Sequence, residues 1–105
     1  MTYDSENIFA KILQGEIPKK TIYENEHVLA FEDINPQAPV HILIIPKGPY
    51  ADMADFSTNA SEEEQAAFTK SISEVVKIAQ LESTGFRAIA NTGTDGLQEV
   101  PHYHL

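Results

Sequence analysis

His102 and His104 are the residues best suited to chemistry in this sequence, two positions apart in Pro101-His-Tyr-His-Leu105. Side chains alternate along a strand, so a spacing of two puts both imidazoles on one face. Two neighbouring imidazoles can ligate a metal, attack phosphorus or carry a proton near neutral pH. The plain alternative is a pair of partly exposed histidines at a strand end. Zinc would find His41, His102 and His104 but no obvious fourth group; a catalytic zinc site needs only three protein ligands. His27 lies beside a turn and is given no role.

The loop upstream of the pair, Asn91-Thr-Gly-Thr-Asp-Gly-Leu-Gln98, bears on this choice. Gly93 and Gly96 permit backbone conformations that aim several N–H groups at one point, an anion nest, although a plain turn would use the same glycines. A nest just ahead of two imidazoles suggests a phosphate held beside a nucleophile. Asp33 ends another strand, ahead of Asn35 and Pro36-Gln-Ala-Pro39. There a carboxylate can accept hydrogen bonds from the vicinal hydroxyls of a ribose, or simply organise its turn.

These residues need elements to hold them. Asp4 or Ser5 can cap a short helix in which Ile8, Phe9, Ile12 and Leu13 share a face, with Gly15 and Pro18 stopping it. Thr21–Glu24 and His27–Phe31-Glu32 read as two strands around a turn at Glu24-Asn25-Glu26. Val40–Ile45 is the clearest strand. A loop with Asp52 and Asp55 leads to Ser61 and Glu64, a capping box opening a helix that runs to about Leu81 on an apolar stripe of Phe68, Ile72, Val75 and Ala79. Glu62-Glu63-Glu64 suits that helix N-terminus electrostatically. Phe86–Asn91 reads as a fourth strand and Pro101–Leu105 as a last one. The expectation is one α+β domain over residues 1–105, with about five antiparallel strands and helices on one face of the sheet.

Composition narrows the function classes. The chain has 105 residues, 16 acidic against 7 basic, a formal charge of −9, and no Cys or Trp. That length supports a single core. Lack of cysteine excludes disulfide frameworks and Cys-ligated zinc or iron–sulfur centres. The acidic surface repels nucleic-acid phosphates, and Lys19, Lys20 and Lys47 are too scattered to form a basic patch. No apolar run is long enough to span a membrane and the start lacks the layout of a signal peptide, so a cytoplasmic protein is expected.

Three segments in order, Asn7-Ile-Phe-Ala-Lys-Ile-Leu-Gln-Gly-Glu-Ile-Pro18, Ala30-Phe-Glu-Asp-Ile-Asn-Pro-Gln-Ala-Pro-Val-His-Ile-Leu-Ile-Ile-Pro-Lys47 and Gly96-Leu-Gln-Glu-Val-Pro-His-Tyr-His-Leu105, closely resemble the histidine triad (HIT) family. Within it they look like the Hint branch of purine nucleoside phosphoramidases. The resemblance implies a HIT-like fold and a homodimer in which two sheets adjoin. It also implies hydrolysis of nucleoside 5′-phosphoramidates or acyl-nucleotides through a nucleotidyl-histidine intermediate. His104 then matches the nucleophile, His102 the histidine that helps to orient it, and His41 an additional histidine behind the pair. Asp33 matches the ribose-binding carboxylate, Ile8, Phe9, Ile17, Phe31 and Ile34 match apolar positions around a purine, and Asn91, Gln98, Glu99 and Val100 match the loop around the phosphate. This chemistry needs no metal or other cofactor, so zinc becomes the secondary reading.

The family signature continues to a third histidine, which would be residue 106. An end at Leu105 would put a carboxylate next to the phosphate site, and the expectation is then weaker phosphate binding, lower activity and a less secure dimer. A longer parent is expected to be an active hydrolase. Leu97 stands where many relatives have glycine, and Pro101 where an aromatic residue is frequent. Two further readings stay open: a nucleotide-binding or protein-interaction module without turnover, and a dinucleoside polyphosphate hydrolase.

Overall fold

The computed structural model describes residues 3–105. Its elements are α1 (Ile8–Leu13), β1 (Thr21–Glu24), β2 (Val28–Glu32), β3 (Ile42–Pro46), α2 (Met53–Asn59) and α3 (Glu62–Ile78). The strands form an antiparallel sheet in the order β1-β2-β3, with Val28 opposite Pro46 and Glu32 opposite Ile42. Alternation along β2 and β3 divides the core. Val28, Ala30 and Ile44 face α2 and α3, packing with Phe56, Phe68, Val75 and Tyr103. Leu29, Phe31, Leu43 and Ile45 face the other way, against Phe9 and Ile12 of α1. Helices therefore cover both faces of the sheet, not one as the sequence suggested. Near-continuous hydrophobicity in Val28–Phe31 and Leu43–Ile45, rather than strict alternation, is the mark of a strand buried on both sides.

Six residues are too few to hold α1 as a helix unaided. Phe9 and Ile12 hold it, each buried, and each worth about 1.5–3 kcal/mol of apolar transfer. The cap is Asn7, whose side chain accepts from Ala10 N–H at 2.8 Å, rather than Asp4 or Ser5. Asp4 instead takes Glu6 N–H in a turn ahead of it. Gly15, with φ +81°, closes α1 by donating to Ile12 while Glu16 donates to Lys11, the paired bonds of a Schellman end.

Ser61 and Glu64 form the expected capping box on α3, whose first turn also carries Glu62 and Glu63. The Ser61 N–H and the Tyr50 hydroxyl hold the Glu64 carboxyl below its ordinary range, against the opposing effect of burial. The helix ends at Ile78, short of Leu81, because Gln80 adopts φ +59° and reverses the chain. A helix not expected from the sequence, α2, opens on Asp52, which accepts from Asp55 N–H at 2.8 Å, while Asp55 accepts from Ala51 N–H at 2.8 Å. Asp52 is thus the side-chain cap of α2, and Asp55 ties down the residue just before it.

Neither of the two last expected strands forms. The Tyr103 N–H donates to Tyr50 and the His102 N–H to Val100, so only Leu105 joins β3, exchanging both backbone bonds with Ile44 at 3.0 Å. Phe86–Asn91 thus has no ladder beside it, and Phe86 and Ile89 are half-exposed. The sheet has three strands among the described residues, and the fold retains the α+β, HIT-like arrangement expected.

Candidate functional site

Alternation in the last segment does hold. Tyr103 and Leu105 pack toward α3, while the rings of His102 and His104 stand near Phe9 of α1, at 6.2 and 5.0 Å between centroids. The pair is therefore on one face, but the two imidazoles live in different surroundings. His102 is fully buried. Its Nε2 lies 2.8 Å from the Pro46 carbonyl and its Nδ1 2.7 Å from the Tyr3 hydroxyl. A carbonyl oxygen only accepts, so Nε2 carries the proton, Nδ1 carries the lone pair and Tyr3 donates. Burial pushes the His102 pKa down, His104 nearby adds to this, and the Pro46 carbonyl opposes it. His102 is a neutral imidazole with both nitrogens engaged.

His104 is half-buried, and its Nδ1 lies 2.8 Å from the His102 carbonyl. By the same reasoning Nδ1–H donates, which leaves the lone pair on Nε2. An imidazole fixed through Nδ1–H with Nε2 unshared has the form of a nucleophile or proton acceptor.

In the glycine loop, Gln98 acts as a brace. Its Oε1 accepts from Gly93 N–H, and its Nε2 donates to the carbonyls of Ala51 and Val100 at 2.7 and 2.8 Å. The N–H groups of Gly96, Leu97 and Gln98 bond to Thr92, Thr94 and Gly93 inside the loop. The nest expected from Gly93 and Gly96 is accordingly closed on itself in this structure. Glycine at 96 answers a different demand: a Cβ there would sit 2.4 Å from the Thr92 carbonyl oxygen. Asn91 and Glu99 are exposed, and Val100 packs against the α1 side of the core.

Leu97 has φ +59° and is 78% exposed, which accounts for glycine being suited to this position. A left-handed backbone costs a side-chain-bearing residue about 1–2 kcal/mol, and glycine's greater unfolded entropy returns about 0.5–1 kcal/mol of that. Leu97→Gly should therefore stabilise the protein by up to about 1 kcal/mol, a rise of a few degrees in Tm by calorimetry. A lower Tm would show that the loop holds no strain at this residue.

His41 and Asp33 form a second group. Asp33 Oδ1 accepts from Asn35 N–H at 2.9 Å, so it does organise its turn. Its Oδ2 lies 3.4 Å from His41 Nε2, and His41 Nδ1 accepts from Gln37 N–H at 2.9 Å. His41 immediately precedes β3 and His102 bonds to Pro46 at its far end, a separation on the order of 15 Å along the strand. The structure thus brings His102 and His104 together, and Asp33 and His41 together, as two groups. A shallow open groove borders Asp33 and Ile34, lined also by Pro18, Lys19, Lys20 and Glu32. Of the apolar residues expected around a base, Phe9 and Phe31 are core and meet edge to face at 5.8 Å, Ile17 packs at their margin, and Ile8 and Ile34 are exposed.

Two features had no expectation attached. Tyr3 reaches across to His102 from the far end of the chain, and no spacing rule links positions 3 and 102. His27, Glu26 and Glu63 bring ligand-type atoms within 4.8 Å of one another at the β1–β2 turn and the start of α3. Both carboxylates are exposed, and His27 Nε2 faces Glu63 at 3.2 Å without the alignment of a hydrogen bond.

Residues 14–105 match the HIT domain family. The chain is 55% identical over 104 residues to an uncharacterised 13.2 kDa HIT-like protein of Azospirillum brasilense, covering 99% of this chain and 85% of that one. Among solved structures it is similar to a histidine triad protein from Clostridium difficile, with TM-score 0.83 and 40% identity over 98% of this chain and 89% of the other. It is also similar to a HIT family hydrolase from Legionella pneumophila, with TM-score 0.83 and 39% identity over 92% of this chain and 86% of that one.

Proposed function

The chain belongs to the HIT domain family, and we propose that it is a nucleotide hydrolase that cleaves purine nucleoside 5′-phosphoramidates or acyl-nucleotides through His104. One observation carries this reading: Nδ1–H of His104 is held by the His102 carbonyl, so that Nε2 presents its lone pair. In the proposed reaction Nε2 attacks the α-phosphorus and the P–N bond breaks. The leaving nitrogen takes a proton from solvent water and departs as an amine, and a nucleotidyl-histidine remains. Water then attacks the same phosphorus, releasing a nucleoside monophosphate and restoring the imidazole. Asp33 is assigned to the ribose hydroxyls, since a carboxylate with one oxygen in a turn still has lone pairs to offer. Gln98 is assigned to holding the loop beside the phosphate through its three bonds. A homodimer, a purine base beside Ile8 and Ile34, and a cytoplasmic location form part of the same proposal. Among the described residues no helix is long and apolar enough to cross a membrane.

Release of adenosine monophosphate from adenosine 5′-phosphoramidate, followed by chromatography, tests the reading. The 105-residue chain should be assayed beside a version extended through a histidine at position 106. Turnover by either, with a nucleotidyl adduct mapped to His104 after acid-free quenching, is the expected result. No turnover and no adduct in both would overturn it.

A further inference from the structure

We propose that Tyr3 is a positioning residue for the histidine pair: its hydroxyl, donated to His102 Nδ1, holds His102 in one neutral tautomer and so fixes the carbonyl that aims His104. Tyr3 lies outside the stretch matched to the HIT domain, which begins at residue 14. The inference rests on the reading of His104 as nucleophile, and its link to His102 stands on geometry alone.

Four groups in a row make the connection. Tyr3 Oη is 2.7 Å from His102 Nδ1, His102 Nε2 is 2.8 Å from the Pro46 carbonyl, and the His102 carbonyl is 2.8 Å from His104 Nδ1. The Pro46 oxygen can only accept, which sets the protons on the His102 ring and the Tyr3 hydroxyl, and the His102 carbonyl sets that on His104 in the same way. The His102 ring is thereby pinned at both nitrogens, and the Tyr3 ring also meets it edge-on at 5.5 Å. A ring fixed at two points fixes its own backbone, and with it the carbonyl that holds His104. The titratable groups facing His102 are Tyr3 and His104, and Phe9 and the Pro46 carbonyl also contact its ring.

The hydroxyl also has an electrostatic effect. A donor on Nδ1 stabilises the neutral ring, so removing it makes protonation of His102 easier. Attack by His104 Nε2 on phosphorus builds positive charge on the His104 ring, and a cationic neighbour would oppose that step.

Tyr3→Phe keeps the ring and removes only the hydroxyl. Imidazole ¹⁵N–¹H correlation spectra across a pH series should show wild-type His102 as the Nε2–H tautomer. In Tyr3→Phe the midpoint of His102 protonation should rise. In phosphoramidate hydrolysis, kcat should fall about tenfold with KM within about twofold, and the acid limb of the kcat profile should move to higher pH. Unchanged His102 spectra would overturn the proposal, as would altered spectra with unchanged kcat. If neither the wild-type chain nor its version extended through a histidine at 106 turns over substrate, the hydrolase reading falls on its own. The spectra then decide the Tyr3–His102 link: a raised midpoint upholds it and an unmoved one overturns it.

Discussion

Replacing His104 with alanine is expected to cut phosphoramidate hydrolysis by at least about 10³-fold while moving Tm by only a few degrees. Both halves follow from the surroundings of the ring. Nothing else on this face offers an imidazole nitrogen with an open lone pair, because both nitrogens of His102 are already bonded, to Tyr3 and Pro46. Without Nε2 of His104 there is no atom for the nucleotidyl group to form a bond to, so the adduct should vanish along with turnover. The structural loss is one hydrogen bond to the His102 carbonyl and one edge contact with Phe9, about 1 kcal/mol each, from a ring that is only half-buried. Nucleotide affinity, read by calorimetric titration with adenosine monophosphate, should fall far less than the rate. A His104→Ala protein that retains near-normal turnover would remove His104 from the chemistry. One that melts tens of degrees lower would show that the ring is structural.

Much of the arrangement around the pair was legible in the chain. The two-residue spacing of His102 and His104 put both rings on one face, and the structure agrees, with Tyr103 and Leu105 turned to the opposite side. Gly15 as a helix stop and the Ser61–Glu64 box were readable because their causes are local: a left-handed residue and a reciprocal pair of side-chain bonds. The α2 helix was readable in the same way, had Asp52-x-x-Asp55 been taken as a cap instead of loop polarity. The remaining misses are non-local. Phe86-Arg-Ala-Ile-Ala has strand composition, but a strand also needs a partner, and the described sheet contains only β1, β2 and β3. Spacing cannot report that. Nor can it report that His102 would be buried and His104 accessible, since the difference comes from Tyr3 and Pro46, which are 99 and 56 residues away. Gly93 and Gly96 were correctly seen as special, yet for a different reason: one closes onto Gln98 and the other clears the Thr92 backbone.

His102→Ala is expected to do the opposite of His104→Ala and damage the fold first. The ring is fully buried, so its removal leaves a cavity and strips the Pro46 carbonyl and the Tyr3 hydroxyl of their partner. Truncating a buried ring and stranding a buried acceptor together cost about 3 kcal/mol, a Tm fall on the order of 10–20 °C for a domain of this size. His102→Gln separates packing from charge, because its amide N–H can reach Pro46 without the ability to titrate. It should recover part of the Tm and should also change the pH dependence of stability. In the wild type the His102 pKa is depressed in the folded state, chiefly by burial. The unfolded chain therefore binds more protons between that value and the ordinary histidine pKa of about 6.5. The stabilisation from neutral His102 is complete above about pH 6.5 and is lost as pH falls through the folded value, with a slope of up to about 1.4 kcal/mol per pH unit. Glu24, Asp55 and Glu64 add a loss of the same sign at lower pH, since hydrogen bonds to Lys47, Ala51 and Ser61 respectively hold their carboxyls below the ordinary range. Urea melts from pH 8 to 3 should thus show stability falling below about pH 6.5 in the wild type and a nearly flat line down to about pH 5 in His102→Gln, with the carboxylate phase below that retained in both. Parallel curves for the two proteins would mean that His102 is not the buried neutral group assigned here.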